Sequence, residues 1–303
     1  MTGEIHIMGI VNLTPDSFFA GSRRQGADAV AQARQMLTDG ADVIDFGACS
    51  TRPGSAQPTL EEEWSRLEPV MRLISEGEGD VFRRQIRRPI PPENASLPLP
   101  LSGGGQVPGA AYPAISIDTY RAEIVRRAFE IIGPFLVNDI SGGEMDPQML
   151  ETVGRLGLPY VAMHMRGTPE TMQSLTDYPD VLEEVKGYFG RFAQKAEAAG
   201  IRDWILDPGF GFSKTIGQNY QLLERMAELQ ALGRPILVGL SRKSMVYKVL
   251  GITPEEAMPA TQVVQWAALE RGATWLRVHD VVPAVQTARL YSTMYTSSPG
   301  AAK

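Results

Sequence analysis

Short apolar runs alternate along the chain with longer stretches in which apolar residues recur every three or four positions. The runs at residues 5–12, 42–46, 114–118, 135–139, 160–165, 204–207, 236–241 and 275–280 read as strands. They are dominated by Ile, Val, Leu, Phe and Trp, and Gly, Pro, Asp or Asn bound them. Between them, residues 27–38, 121–132, 181–199 and 254–271 carry the spacing of helices with one apolar face. Asp146-Pro147 and Thr253-Pro254 each set a capping side chain before a proline, which predicts helix starts at both. Eight strands with a helix after each is the count of a closed parallel (β/α)8 TIM barrel, here a single domain over residues 1–303. The competing architecture, a doubly wound open sheet, would show a glycine fingerprint after its first strand, and none stands there.

Polar residues close every one of these strands. The ends read Asn12, Asp45 (with Ser50, Thr51 and Arg52 beyond it), Asp118, Asn138-Asp139, His164, Asp207, Ser241-Arg-Lys243 and Arg277-Val-His-Asp280. A parallel barrel brings all these ends to one face, where barrel enzymes keep their active sites. Asp207, followed by Gly209 and Gly211, suits an Asx turn or an acceptor aimed at a small polar ligand. Ser241-Arg-Lys-Ser244 lies where a strand hands over to a helix, a place that favours anions. Arg277 and His279 share one side of the last strand and form a second anion clamp. His6, at the opposite end of its strand, and His164, between two methionines, read as packing residues. Three scattered histidines and one cysteine do not make a zinc site. Acceptors (Asp118, Asn138, Asp207) beside cations (Arg52, Lys243, Arg277, His279) suit a phosphorylated, nitrogen-rich heterocycle such as a pterin or guanine.

Composition narrows the setting. A hydrophobic content of 43% supports one large core, and a formal charge of −6 argues against a nucleic-acid surface. Cys49 is the sole cysteine, which excludes a disulfide framework within the chain and suits a reducing compartment. With neither a signal-peptide pattern nor an apolar run approaching the ~20 residues of a membrane span, a cytoplasmic protein without membrane contact is expected. Residues 76–113, between the second helix and the third strand, form a Pro/Gly-rich insert with the composition of an irregular loop. The tail from about residue 296 reads as loose.

Seven motifs, in order and spacing, resemble those of dihydropteroate synthases: Asn12-Leu-Thr-Pro-Asp-Ser-Phe18, Ser50-Thr-Arg-Pro-Gly54, Ser116-Ile-Asp-Thr119, Val137-Asn-Asp-Ile-Ser141, Asp207-Pro-Gly-Phe-Gly-Phe212, Ser241-Arg-Lys-Ser244 and Arg277-Val-His-Asp280. The resemblance implies condensation of 6-hydroxymethyl-7,8-dihydropterin diphosphate with p-aminobenzoate, the folate-pathway step that sulfonamides block. It places Asp118, Asn138 and Asp207 on the pterin edge, Lys243 on its ring, and Met163 and Phe212 in the pocket walls. Asn12, Arg277 and His279 would hold the diphosphate, with Mg²⁺ at Asn12; Arg277 would also lie against the pterin face. Thr51, Arg52 and Pro53 would form a lid over p-aminobenzoate, whose carboxylate would meet Ser244. A homodimer is likewise implied. Ala20 stands where the family often has Asp, Cys49 where it commonly has Glu, and Ser213 where it frequently has Gly. A methyltransferase on the same pterin-binding barrel, or a non-catalytic paralogue, is the alternative; the first would not need Ser241–Ser244 or a diphosphate clamp, and the second should have lost some lid or cation residues, which persist here.

Overall fold

The computed structural model describes residues 4–14, 22–49, 57–76, 82, 85–87 and 111–296. Its strands in chain order are β1 (His6–Asn12), β2 (Val43–Gly47), β3 (Gln85–Arg87), β4 (Ala111–Pro113), β5 (Ile115–Asp118), β6 (Leu136–Asp139), β7 (Tyr160–Met163), β8 (Trp204–Asp207), β9 (Leu237–Val238) and β10 (Trp275–Val278). The helices are α1 (Ser22–Thr38), α2 (Leu60–Glu76), α3 (Ala122–Ile132), α4 (Met149–Leu156), α5 (Val181–Ala198), α6 (Ile216–Arg225), α7 (Ser244–Leu250), α8 (Met258–Glu270) and α9 (Val281–Thr296).

Eight strands form one parallel sheet in the order β8-β7-β6-β5-β2-β1-β10-β9. A parallel bridge between Leu206 and Ile236 joins its two ends and closes the expected (β/α)8 barrel. Alternation along the strands divides the apolar residues into two sets. One set, including Ile7, Ile44, Ile117, Val137, Leu206 and Leu276, packs against the surrounding helices in the main core. The other, Met8, Val43, Leu136, Val161, Ile205, Leu237 and Trp275, is fully buried as a separate cluster that plugs the barrel interior.

Several local expectations are corrected. Asp146 caps the turn that leads into α4, its Oδ1 accepting the Gln148 N–H at 2.9 Å, but the helix itself begins at Met149, and Asp146 Oδ2 also accepts the Ala122 N–H at 2.8 Å, at the start of α3. Thr253 exchanges capping hydrogen bonds with Glu256, but these close a separate turn and α8 starts at Met258. The insert is not wholly irregular, because β3 and β4 pair antiparallel with Ile86 opposite Tyr112. Only Ala114 separates β4 from Ile115, so the pair lies at the N-terminal end of β5. The rest of 77–110 apart from Phe82, and the tail beyond 296, lie outside the described residues.

Candidate active site

The site is built directly on the plug. Two positions beyond Val43, Leu136, Val161, Ile205 and Trp275 stand Asp45, Asn138, Met163, Asp207 and Arg277, on the same inward side of β2, β6, β7, β8 and β10. Asp45, fully buried, is the centre of this layer. Its Oδ2 accepts from Asn138 Nδ2 at 3.0 Å and from Arg277 Nε at 2.7 Å. Arg277 also donates from Nη2 to Asp118 Oδ2 at 2.7 Å. Asn138 therefore has its amino group committed to Asp45, and its oxygen is left as the group available to a ligand.

Burial and charge compete in this layer. Asp118 is pushed up to about 7 by burial, against the pull of Arg277 and with repulsion from Asp45. The Arg277 guanidinium is shared with Asp45, so its stabilisation of Asp118 is incomplete. Burial also raises the Asp207 carboxyl. Asp207 Oδ1 accepts the Gly209 N–H at 2.8 Å, which realises the Asx turn, while Oδ2 makes no hydrogen bond among the described residues. Turn and ligand acceptor thus use different oxygens of one side chain. Lys243 is brought down to about 8 by burial, opposed by Asp207. Its Nζ lies 4.3 Å from the centroid of the Phe212 ring, a cation–π contact.

An apolar cluster separate from the core lines the mouth: Tyr120, Ile140, Met163, Met165, Met172 and Phe212, with Cys49 at its edge. Met163 and Phe212 belong to this one cluster. Tyr120, Ile140 and Met172 carry no sequence expectation, although methionines at 163, 165 and 172 are a legible signal of an apolar surface beyond a strand end. Burial and Glu63 push the Cys49 thiol up, so it carries no charge here. The carboxylate that pairs with Arg121 is Glu63 of α2, which also accepts from Thr119 Oγ1 at 2.6 Å.

The anion-binding rim differs from its sequence reading. Arg277 is engaged in the floor by two carboxylates rather than held open for an anion. His279 stands exposed at the rim, with Nδ1 3.1 Å from Ser241 Oγ. Loss of solvent on its protein side, then Arg277 and Arg242, lower its pKa, so the free site carries a neutral imidazole there. Arg242 is clamped to Asp280 at 2.9 and 2.7 Å, leaving Lys243 as the N-cap of α7 and Ser244 as its first residue. Asn12 ends β1, half-buried, and its amide makes no hydrogen bond among the described residues. Thr51, Arg52 and Pro53, with Asp16 and Ala20, lie outside the described residues.

The remaining expectations fall away from the mouth. His6 is buried at the opposite end, its ring 4.6 Å from that of Trp275. His164 is buried, with Nδ1 2.9 Å from Lys214 Nζ. Lys214 also donates to the carbonyls of Gly209 (3.0 Å) and Phe212 (3.1 Å). Among the described residues no group of three or more His, Cys, Asp or Glu could hold a metal, and no helix is long and apolar enough to cross a membrane.

Fold and site together define a barrel enzyme whose mouth presents acceptors and a lysine over an apolar wall. The sequence pattern of the family described as "Pterin binding enzyme" matches residues 8–82 and 106–279. The dihydropteroate synthase of Escherichia coli K12 is 37% identical over 288 residues, 94% of this chain and 90% of that protein. The Yersinia pestis dihydropteroate synthase, solved with a sulfonamide drug, superposes with a TM-score of 0.80 at 32% identity, covering 97% of this chain and 95% of that one. The Xanthomonas albilineans dihydropteroate synthase, solved with 4-aminobenzoic acid, gives 0.78 at 32% identity over 98% and 94%. The chain belongs to the pterin-binding enzymes and, among them, to the dihydropteroate synthases, transferases of folate synthesis.

Proposed function

We propose that the protein joins 6-hydroxymethyl-7,8-dihydropterin diphosphate to p-aminobenzoate, releasing diphosphate and forming 7,8-dihydropteroate. The observation that carries this reading is the gathering of Asp118, Asn138 and Asp207 with Lys243 beside the Met163–Phe212 wall. A pterin ring has a donor–acceptor edge and an apolar face; the acceptors complement the edge and Met163 the face, while Phe212 lines the adjoining p-aminobenzoate side. In this reading Asp207 Oδ2 and Asn138 Oδ1 accept from the amino–amide edge. Asp118, with its pKa near 7, holds either an acceptor or a proton against a ring nitrogen. Lys243 faces the ring, and Arg277 lies beneath it.

Carbon–oxygen cleavage expels diphosphate and leaves a methylene cation that the electron-rich dihydropterin stabilises. The amine nitrogen of p-aminobenzoate then attacks this carbon and loses a proton. The reaction needs charge stabilisation at the leaving group and positioning of the amine, and no protein nucleophile. Asn12 and His279 would face the diphosphate, and Ser244 the p-aminobenzoate carboxylate, with the lid role of Thr51, Arg52 and Pro53 carried over from the resemblance. Mg²⁺ fits this arrangement as an ion shared with the diphosphate. It commonly takes one or two protein oxygens and keeps several waters, and the uncommitted Asn12 amide offers one oxygen. There it would supply neutralisation of the departing charge.

A homodimer is proposed from Val249 and Leu250 of α7, Val263 of α8 and Leu290 and Met294 of α9, each more than half exposed. Sedimentation at micromolar concentration reads this; a monomer overturns it. The single cysteine supports a cytoplasmic setting. For the reaction itself, the folded protein is incubated with the pterin diphosphate, p-aminobenzoate and Mg²⁺ and dihydropteroate is assayed. Folded protein that yields no product sinks the proposal.

A further inference from the structure

Ser213 is fully buried and holds a left-handed backbone, φ +46°, a conformation that any side chain disfavours and glycine tolerates. Its hydroxyl is used twice. It accepts the backbone N–H of Arg166 at 3.0 Å and lies 3.1 Å from the Tyr178 hydroxyl. Both partners belong to the segment that follows β7, and Tyr178 is itself braced by the Arg166 guanidinium 4.1 Å from its ring centroid. Arg166 is held in turn by Glu184 at 2.7 Å.

The neighbours of Ser213 make this tie consequential. Phe212, one residue earlier, is a wall of the mouth and the ring under Lys243. Met163, the last residue of β7 and three residues before Arg166, is a wall on the other side. Gly209 runs so close to the second loop that a Cβ there would meet the His164 carbonyl oxygen at 2.0 Å. The two loops are thus pressed together at Gly209 and Lys214, and the Ser213 hydroxyl fastens them beside Phe212.

We propose that Ser213 is a positioning residue for the aromatic-amine pocket: its hydroxyl ties the loop carrying Phe212 to the segment after β7 and so fixes Phe212 at the mouth, while Met163 is held by the β7–β8 ladder. This rests on the synthase reading given above. A glycine would accept the same φ without strain, yet would leave the Arg166 N–H and the Tyr178 hydroxyl without this partner. Relative to glycine, the serine adds backbone strain and supplies an oxygen that both partners use.

The test compares the unaltered enzyme with Ser213→Gly and Tyr178→Phe. Loss of one or two hydrogen bonds that hold the wall should raise the KM for p-aminobenzoate roughly fivefold in Ser213→Gly. Its kcat and its KM for the pterin diphosphate should change by less than about twofold. Tyr178→Phe keeps the Arg166 bond and the backbone, and should shift the same KM in the same direction by less. Ser213→Gly with an unchanged KM for p-aminobenzoate overturns the proposal, as does an equal loss for both substrates. If Ser213→Gly does not fold, an unchanged KM in Tyr178→Phe overturns it and a raised KM supports it. Should the unaltered enzyme make no dihydropteroate, the synthase reading itself fails, which is a separate result.

Discussion

At the residue scale the site depends on a side chain that touches no expected substrate atom. Asp45 holds both Asn138 and Arg277 through one oxygen, deep in the barrel. Asp45→Asn keeps the shape but removes the charge and can present the wrong end of its amide to one partner. Pterin binding should weaken by about 1–3 kcal/mol, with p-aminobenzoate binding changed far less; calorimetry showing equal losses for both would contradict this. The sequence made Asp118, Asn138 and Asp207 legible, because a polar residue closing an apolar strand is conspicuous. It showed Asp45 as a strand end and nothing more, since its partners lie 93 and 232 positions away. The neutrality of His279 was equally hidden, because a histidine's charge depends on surroundings that only the folded chain assembles.

At the element scale the strand–helix alternation was readable throughout, and strand starts fell within a residue or so of expectation. Ends were less so. The run at 236–241 is a strand only over Leu237–Val238, since the chain leaves the ladder as soon as it must present Ser241 to His279. The β3–β4 pair escaped notice because three-residue strands flanking a long insert leave almost no periodicity. That pair now sets how the insert can be tested. Replacing residues 88–110 by a short Gly/Ser linker keeps both strands and changes only the length between them. Loop-closure entropy grows slowly with length, and the segment enters at the face opposite the active site. Turnover and both KM values should stay within about twofold; a large fall in turnover at an unchanged melting temperature would show the segment reaching the mouth.

At the scale of the whole molecule, buried ionisable groups give stability opposing dependences on pH. His6 is lowered to about 4 by burial, below its ordinary 6.5. Between these values the unfolded chain takes up a proton that the folded chain refuses, so stability is complete above pH 6.5 and is lost as pH falls toward 4. Asp118, raised to about 7 by burial, acts in the opposite sense: its penalty at neutral pH is relieved as pH falls toward 4. Other buried groups titrate within or beside this range, His164 and Lys214 among them, so the histidine is best isolated by comparison. His6→Asn should melt below the unaltered protein at pH 7.5, and the gap should narrow or reverse at pH 5. A gap that does not change with pH would contradict the assignment.

The barrel's closure has a consequence of its own. β8 and β9 meet through one bridge, Leu206 to Ile236, whereas β1 and β2 pair over five registered positions. This thin seam is also where the site straddles the sheet, with Asp207 directly after Leu206 and Lys243 a few residues after β9. A pterin that contacts both side chains therefore works as a staple across the weakest join. Binding should slow amide hydrogen exchange at Leu206 more than within β1 and β2. Uniform slowing around the ring would show the join to be no weaker than the rest. Through this staple, the substrate would reinforce the closure of the barrel that holds it.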